Sequence, residues 1–138
     1  MIVLVDTSVW SLALRRKRED LSPEEVRLTK ALAELIEEGR AQIVGPIRQE
    51  LLSGIRDEET FLALRRHLRA FDEPHLEADD YEEAARMNNQ CRRRGVTGSG
   101  IDFLICAVAY RREWEIFTTD RDFTRYAKVL ALRLYSTS

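Results

Sequence analysis

The chain opens with a run of four apolar residues, Ile2 to Val5, that stops abruptly at Asp6. The run is continuous and rich in β-branched side chains, and no polar residue alternates through it. Such a segment is typical of a short strand that is buried on both faces, as in a parallel sheet covered by helices. The opening therefore favours an α/β fold with Asp6 at the carboxyl end of the first strand.

Helical patterns and short apolar runs alternate through the rest of the chain. Ser22 and Pro23 begin a helix, Glu25 completes a capping box, and Gly39 ends the helix. Further helices are predicted over 9–14, 45–53, 57–70, 78–94, 101–112 and 122–127, and strands over 43–44, 115–118 and within 129–135. Residues 71–76 are ambiguous by pattern. This order predicts one domain over residues 1–138, an α/β/α sandwich with a short parallel sheet flanked by helices.

Composition limits the classes of protein to which the chain can belong. Hydrophobic residues make up 44% of the 138 residues, enough for one core, and no apolar run approaches the ~20 residues that span a bilayer. Cys91 and Cys106, the two cysteines, form neither a disulfide framework nor a CxxC motif, which fits a reducing compartment. The first residues lack the basic segment and long apolar stretch of a signal peptide. We expect a soluble cytoplasmic protein that does not enter a membrane.

The formal net charge of −2 argues mildly against a nucleic-acid partner, because phosphate binding favours basic surfaces. The average hides two basic clusters. The first contains Arg15, Arg16, Lys17 and Arg18, and the second contains Arg92, Arg93 and Arg94. Such clusters are usually solvated surface. An acidic centre inside a basic rim would nevertheless give the same near-neutral total.

Four acidic residues from separate segments can converge in the predicted topology: Asp6, Glu50, Asp102 and Asp120. Asp6 and Asp120 follow predicted strands, and ligands of open α/β sheets bind beyond the carboxyl ends of strands. Asp102 stands in the first turn of a helix and Glu50 one turn into another. Taken singly, each has an ordinary explanation as a cap, a turn residue or a surface residue. The topology alone leaves both interpretations open.

Convergence of four carboxylates would be costly without a cation, because like charges at a few ångströms repel one another. Oxygen ligands without histidine or cysteine suit Mg²⁺ or Mn²⁺ rather than Zn²⁺. Such ions polarise phosphoryl oxygens and stabilise attacking and leaving oxygens in phosphodiester hydrolysis. The residues therefore favour a phosphodiesterase if the four acids meet.

Four segments together resemble the PIN domain of VapC-type toxins, and they occur in family order over nearly the whole chain. They are IVLVDTSVW, IRQELLSGI, GIDFLICAVA and IFTTDRDF, which carry the four acids in turn. The resemblance implies a metal-dependent endoribonuclease with the quartet as its Mg²⁺ or Mn²⁺ site. It implies that Thr7 or Ser8 orients a ligand or water and that Thr119 assists. Asp122 has two interpretations, as a metal contact or as the cap of the helix it begins.

The same resemblance implies partners. The chain would be the toxin of a toxin–antitoxin pair, inhibited by a small DNA-binding antitoxin that inserts a segment at the acidic site. A homodimer is expected through the apolar helices near residues 23–38 and 46–70. The basic clusters would hold the RNA substrate through its phosphates.

Two other classes of function stay open. A haloacid-dehalogenase-like phosphatase also begins with an Asp after the first strand, but it requires a second Asp where this chain has Ser8. A catalytically silent PIN-fold module could bind RNA or protein, although the intact quartet argues against it. His67 and His75, the only histidines, support no Ser-His-Asp arrangement.

Overall fold

Three short parallel strands form the centre of the fold in a computed structural model that describes residues 1–137. The strands are β1 (Val3–Val5), β2 (Ala41–Gln42) and β3 (Glu115–Phe117), ordered β2-β1-β3. β1 is the middle strand and all three of its residues are buried. Val5 pairs with Phe117 in the register of β1 and β3. Because these strands run in the same direction, the residues that follow them emerge side by side at the carboxyl edge.

Seven α-helices and one short 3-10 helix (Arg18–Asp20) complete the α/β/α sandwich over the described residues. The α-helices are α1 (Thr7–Leu14), α2 (Pro23–Glu37), α3 (Gly45–Leu52), α4 (Glu58–Leu68), α5 (Ala78–Arg93), α6 (Gly100–Arg112) and α7 (Asp122–Tyr126). The predicted capping box of α2 is confirmed: Ser22 Oγ accepts from Glu25 N at 3.1 Å, and Glu25 Oε1 accepts from Ser22 N at 2.9 Å. Gly39 follows this helix with φ +70°, a conformation that glycine adopts without strain.

Two predicted strands differ from the observed ones. The strand expected at 43–44 lies two residues earlier, and Ile43 and Val44 are instead buried residues that lead into α3. The strand expected within 129–135 is reduced to a single parallel bridge between Ile116 and Leu134. Turns continue beyond α7, where Leu130 N donates to Tyr126 O at 2.8 Å, so that few residues remain to extend alongside β3.

The contact between α5 and α6 fixes the direction of α6. Seven consecutive residues of α6, 103–109, are buried. Asp80 of α5, also buried, accepts hydrogen bonds from Arg111 at 2.7 Å and from Arg112 at 2.7 and 3.0 Å. The hydrogen bonds from Arg112 are the main reason that the pKa of Asp80 is held well below its ordinary value. This ion pair anchors the C-terminal end of the helix that carries Asp102 at its other end.

One tryptophan and both cysteines belong to the hydrophobic core. Trp10 is fully buried, and its indole Nε1 donates to Val5 O at 3.0 Å. Cys91 and Cys106 are free and buried in the core. Across residues 1–137 no helix combines the length and apolar character that crossing a membrane demands.

Candidate active site

The carboxylate of Asp6 is held at the carboxyl end of β1 by two hydroxyl groups. Ser8 Oγ donates to Asp6 Oδ2 at 2.9 Å, and Thr118 Oγ1 donates to the same oxygen at 2.8 Å. Asp6 has only 6% of its surface exposed. It occupies the N-cap position of α1, but its side chain makes no capping hydrogen bond. Since both hydroxyls bind Oδ2, the other oxygen, Oδ1, is the one left for a ligand.

Backbone amides of the following segment orient the two hydroxyls. Thr119 N donates to Ser8 Oγ at 3.0 Å, and Asp120 N donates to Thr118 Oγ1 at 3.0 Å. A hydroxyl has one hydrogen to donate, and here it goes to Asp6 in both cases. Thr118 is therefore a site residue that the sequence interpretation missed. Thr119, which that interpretation included, contributes through its backbone N–H.

Asp102 enters the site from the first turn of α6. The helix is capped by Ser99, whose Oγ accepts from Asp102 N at 3.1 Å, so the carboxylate of Asp102 is not the cap. Asp102 Oδ2 instead accepts from the hydroxyl of Tyr126 at 2.7 Å. Burial first, and then the charges of Asp6 and Asp120, raise the pKa of Asp102, while the hydrogen bond from Tyr126 opposes this.

Asp102, Asp120 and Asp122 form the acidic cluster. One carboxylate oxygen of each lies within 4.8 Å of those of the other two. Asp122 N donates to Asp120 Oδ1 at 2.9 Å as α7 begins, and the carboxylate of Asp122 pairs with Arg125 at 3.2 Å. A set made only of carboxylate oxygens matches the ligands that Mg²⁺ and Mn²⁺ prefer. The residues present therefore fit a divalent cation.

Glu50 lies at the rim rather than in the acidic cluster. It is exposed on α3, and its Oε1 accepts from Thr7 Oγ1 at 2.9 Å. Because Thr7 follows Asp6 directly, this hydrogen bond ties α3 to the edge of the site. Of the four acids expected to converge, Asp102 and Asp120 thus meet in the cluster together with Asp122, while Asp6 acts on Asp102 through its charge.

Both basic clusters lie at the C-terminal ends of helices, but at different distances from the acidic residues. Arg92 and Arg93 end α5, Arg94 caps it, and only the loop 95–99 separates them from the helix that begins with Asp102 in its first turn. Arg15, Arg16 and Arg18 follow the C-terminus of α1, whose first turn is at Asp6. An eight-residue helix is about 12 Å long, so the cluster after α1 lies a helix length from Asp6. All six arginines are exposed, and Arg16 pairs with Glu25 at 3.2 Å.

A family model, two relatives and a solved structure all match nearly the whole chain. The family model described as PIN domain matches residues 3–129. The protein called ribonuclease VapC11 of Mycobacterium tuberculosis is 34% identical over 139 residues, which covers 98% of each chain. A VapC ribonuclease of Mycobacterium bovis matches with the same identity and coverage, 34% and 98%. Among solved structures, VapBC2 of Rickettsia felis bound to a promoter DNA fragment has a TM-score of 0.76 at 16% identity, covering 98% of each chain.

Proposed function

Because this chain belongs to the PIN-domain family, we propose that it is a divalent-metal-dependent endoribonuclease and the toxin of a toxin–antitoxin pair. The observation that carries the proposal is the acidic cluster, whose three carboxylate oxygens lie within 4.8 Å of one another. Relatives at 34% identity over nearly the whole chain bear the name ribonuclease, which supports RNA as the substrate.

Mg²⁺ or Mn²⁺ is the cofactor that we propose, held by Asp102, Asp120 and Asp122 with Asp6 beside them. The chemistry that such a cation supplies when bound is polarisation of a phosphoryl oxygen and a lowered pKa for water. Three carboxylates so close together repel one another, and positive charge is what relieves the repulsion. Arg125 reaches only Asp122 among the three, at 3.2 Å, so this ion pair leaves most of the negative charge uncompensated.

The remaining polar residues hold the site in shape. Ser8 and Thr118 keep Asp6 Oδ2 occupied, so that Oδ1 is the oxygen available to the centre. Thr7 keeps Glu50 Oε1 occupied, which leaves Oε2 free to orient the attacking water or a cation at the rim. We propose that these hydroxyls orient the carboxylates of Asp6 and Glu50, because hydrolysis of a phosphodiester depends on reacting groups held in a fixed geometry.

The RNA strand would reach the site past Arg92, Arg93 and Arg94. These residues are exposed at the end of α5, one short loop before the helix that carries Asp102. Contacts from arginine to phosphate position a strand without reading its sequence. The cluster from Arg15 to Arg18 would contribute only to a longer RNA, since it lies at the far end of α1.

The expected partners remain a small antitoxin and a second copy of this chain. Structures with the same fold include a toxin–antitoxin complex from Klebsiella pneumoniae and VapBC2 bound to a DNA fragment from its promoter. For the homodimer, a groove of about 490 Å³ lies between α2 and α4, with Ile36, Ala63 and Phe71 among its lining residues. Ile36 is 38% exposed there, and we propose that this groove contributes to the self-contact. Light scattering of the purified chain tests for the dimer.

The deciding experiment is cleavage of single-stranded RNA by the purified chain with Mg²⁺, with Mn²⁺ and with excess chelator. We expect cleavage with either ion, none with chelator, and none from Asp6→Asn with either ion. Cleavage that persists in chelator would refute the metal centre. Release of phosphate from a phosphomonoester without RNA cleavage would instead favour the phosphatase class, and RNA binding without any hydrolysis would favour the silent module.

A further inference from the structure

Tyr126 lies behind the acidic cluster with its whole side chain buried. Its ring centroid is 5.0 Å from that of Phe103 and 5.3 Å from that of Phe123. Its hydroxyl donates to Asp102 Oδ2 at 2.7 Å. The hydroxyl is the donor in this contact, because an ionised carboxylate can only accept. One aromatic side chain thus delivers a single hydrogen bond to a single carboxylate oxygen.

Gly98 closes over this hydroxyl from the loop that precedes α6. A Cβ atom at Gly98 would lie 2.7 Å from Cζ and 2.7 Å from Cε1 of Tyr126, closer than real Cβ atoms come to other atoms. The ring has little room to retreat, since Phe103 and Phe123 pack against it. Two residues further on, a Cβ at Gly100 would meet nothing within 4 Å. The loop therefore approaches Tyr126 at Gly98 specifically.

We propose that Tyr126 is a positioning residue of the metal centre. Its hydroxyl fixes Asp102 Oδ2 so that Oδ1 is presented to the cation shared with Asp120 and Asp122, and Gly98 is the residue that gives the hydroxyl its place. This inference rests on the metal-dependent function proposed above. Groups that hydrogen-bond to metal ligands orient those ligands and tune their affinity for the ion.

The competing explanation is that Asp102 merely satisfies a buried hydroxyl, since buried polar groups need partners. The two explanations differ in what Tyr126→Phe does. Phenylalanine keeps the ring and its packing against Phe103 and Phe123 while removing the donor. If the hydrogen bond is only structural, metal binding to the acidic cluster should be indifferent to its removal once the chain is folded.

The test is Mn²⁺ binding by the full chain, measured by calorimetry and by electron paramagnetic resonance, alongside melting of the metal-free protein. For Tyr126→Phe we expect Mn²⁺ affinity to fall by roughly 10- to 100-fold while the melting temperature stays near that of the wild type. At saturating Mn²⁺, kcat for RNA should fall and KM should not change. Tyr135→Phe is the matched control: its ring packs 5.0 Å from that of Phe117, and its Mn²⁺ affinity should equal that of the wild type.

A second pair of variants approaches the same hydrogen bond from the loop. Gly98→Ala should displace the hydroxyl of Tyr126 and weaken Mn²⁺ binding, whereas Gly100→Ala should leave it unchanged. Wild-type Mn²⁺ affinity and kcat in Tyr126→Phe would overturn the proposal, whether or not Gly98→Ala folds. If the wild type itself bound no Mn²⁺, the proposed metal-dependent function would fail, and the role of Tyr126 would fail with it. If the wild type bound Mn²⁺ and Tyr126→Phe bound it equally well, only the role of Tyr126 would fail.

Discussion

Thr118 Oγ1 lies 2.8 Å from Asp6 Oδ2, although 112 residues separate the two along the chain. The contact follows from the register of the sheet, in which Val5 pairs with Phe117 and the next residue of each strand stands at the same edge. Thr118 also accepts from Asp120 N at 3.0 Å. One hydroxyl therefore connects an acid after β1 with an acid after β3.

Replacing Thr118 with valine should weaken metal binding and RNA cleavage by roughly 10- to 100-fold, because it removes a hydrogen bond that orients a carboxylate of the site. Valine keeps the shape of threonine. Thr119→Val is the informative comparison, since Thr119 contributes through its backbone N–H and its side chain is exposed. Cleavage rates over a Mn²⁺ series measure both. Equally weakened cleavage in the two variants would contradict the assignment to Thr118.

Asp102→Asn should nearly abolish cleavage and yet raise the melting temperature of the metal-free protein. The substitution removes a partly buried charge that Asp6 and Asp120 oppose, and the amide oxygen can still accept from Tyr126. Calorimetric melting with and without Mn²⁺ measures the effect, and the added ion should stabilise the wild type more than the variant.

Asp6→Asn and Asp120→Asn should likewise abolish nearly all cleavage activity while the chain remains folded. Because Asp120 is exposed, its substitution should raise the metal-free melting temperature less than that of Asp102. Near-normal cleavage by any one of these variants would remove that residue from the catalytic centre.

Asp80→Asn should destabilise the fold by about 3 kcal/mol near neutral pH, because it leaves Arg111 and Arg112 without their buried partner. The pKa of Asp80 is lower in the folded chain than in the unfolded one. The stabilisation is therefore complete above the unfolded pKa, about 3.9, and disappears as the pH falls from there towards the folded value.

Urea unfolding across a pH series measures the difference in free energy of unfolding between the wild type and Asp80→Asn. We expect it to be constant between about pH 5 and 7 and to shrink below about pH 4. Asp79→Asn provides the control, since Asp79 is exposed at 68% and pairs with Arg111 at 3.6 Å, so its substitution should change stability by less than about 1 kcal/mol. A difference that grew on acidification would contradict this account.

Replacing Arg92, Arg93 and Arg94 with glutamine should weaken RNA binding and flatten its salt dependence. For each phosphate of a single strand that is no longer neutralised, the slope of log affinity against log salt should fall by about 0.7. The measurement uses Asp102→Asn as a non-cleaving background. The same change at Arg15, Arg16 and Arg18 should have a smaller effect on a short RNA, because that cluster lies at the far end of α1. An unchanged slope for both clusters would place the RNA elsewhere. When the same arginine changes are made with Asp102 intact, the cleaved sequence should stay the same.

β1 and β3, and the acids that follow them, were predictable because they follow from local pattern. The apolar run that ends at Asp6, and the one that ends before Asp120, mark strand ends whatever lies around them. The capping box at Ser22 was equally local. The reduced strand near Leu134 was not predictable, since it depends on how far the turns after α7 continue.

Thr118 and Tyr126 were missed because their contacts depend on segments that are distant in sequence, not on local pattern. Neither stands out in the sequence, because a threonine at a strand end and a tyrosine in a short helix are ordinary residues. Their importance comes from strand register and from the turn that Asp120 and Asp122 form, which brings α7 back against Asp102. The strand pairing expected from the alternating elements could have pointed to Thr118, whereas nothing local points to Tyr126.

The seven consecutive buried residues of α6 make this helix the part of the site slowest to open. Amide hydrogen exchange in 103–109 should approach the rate set by global unfolding, because its backbone is enclosed over two turns. α3 buries only Ile47 and Leu51, so the helix that carries Glu50 should exchange through local openings of lower free energy. The two sides of the site should therefore differ in rigidity, so that displacing Glu50 should cost less free energy than displacing Asp102.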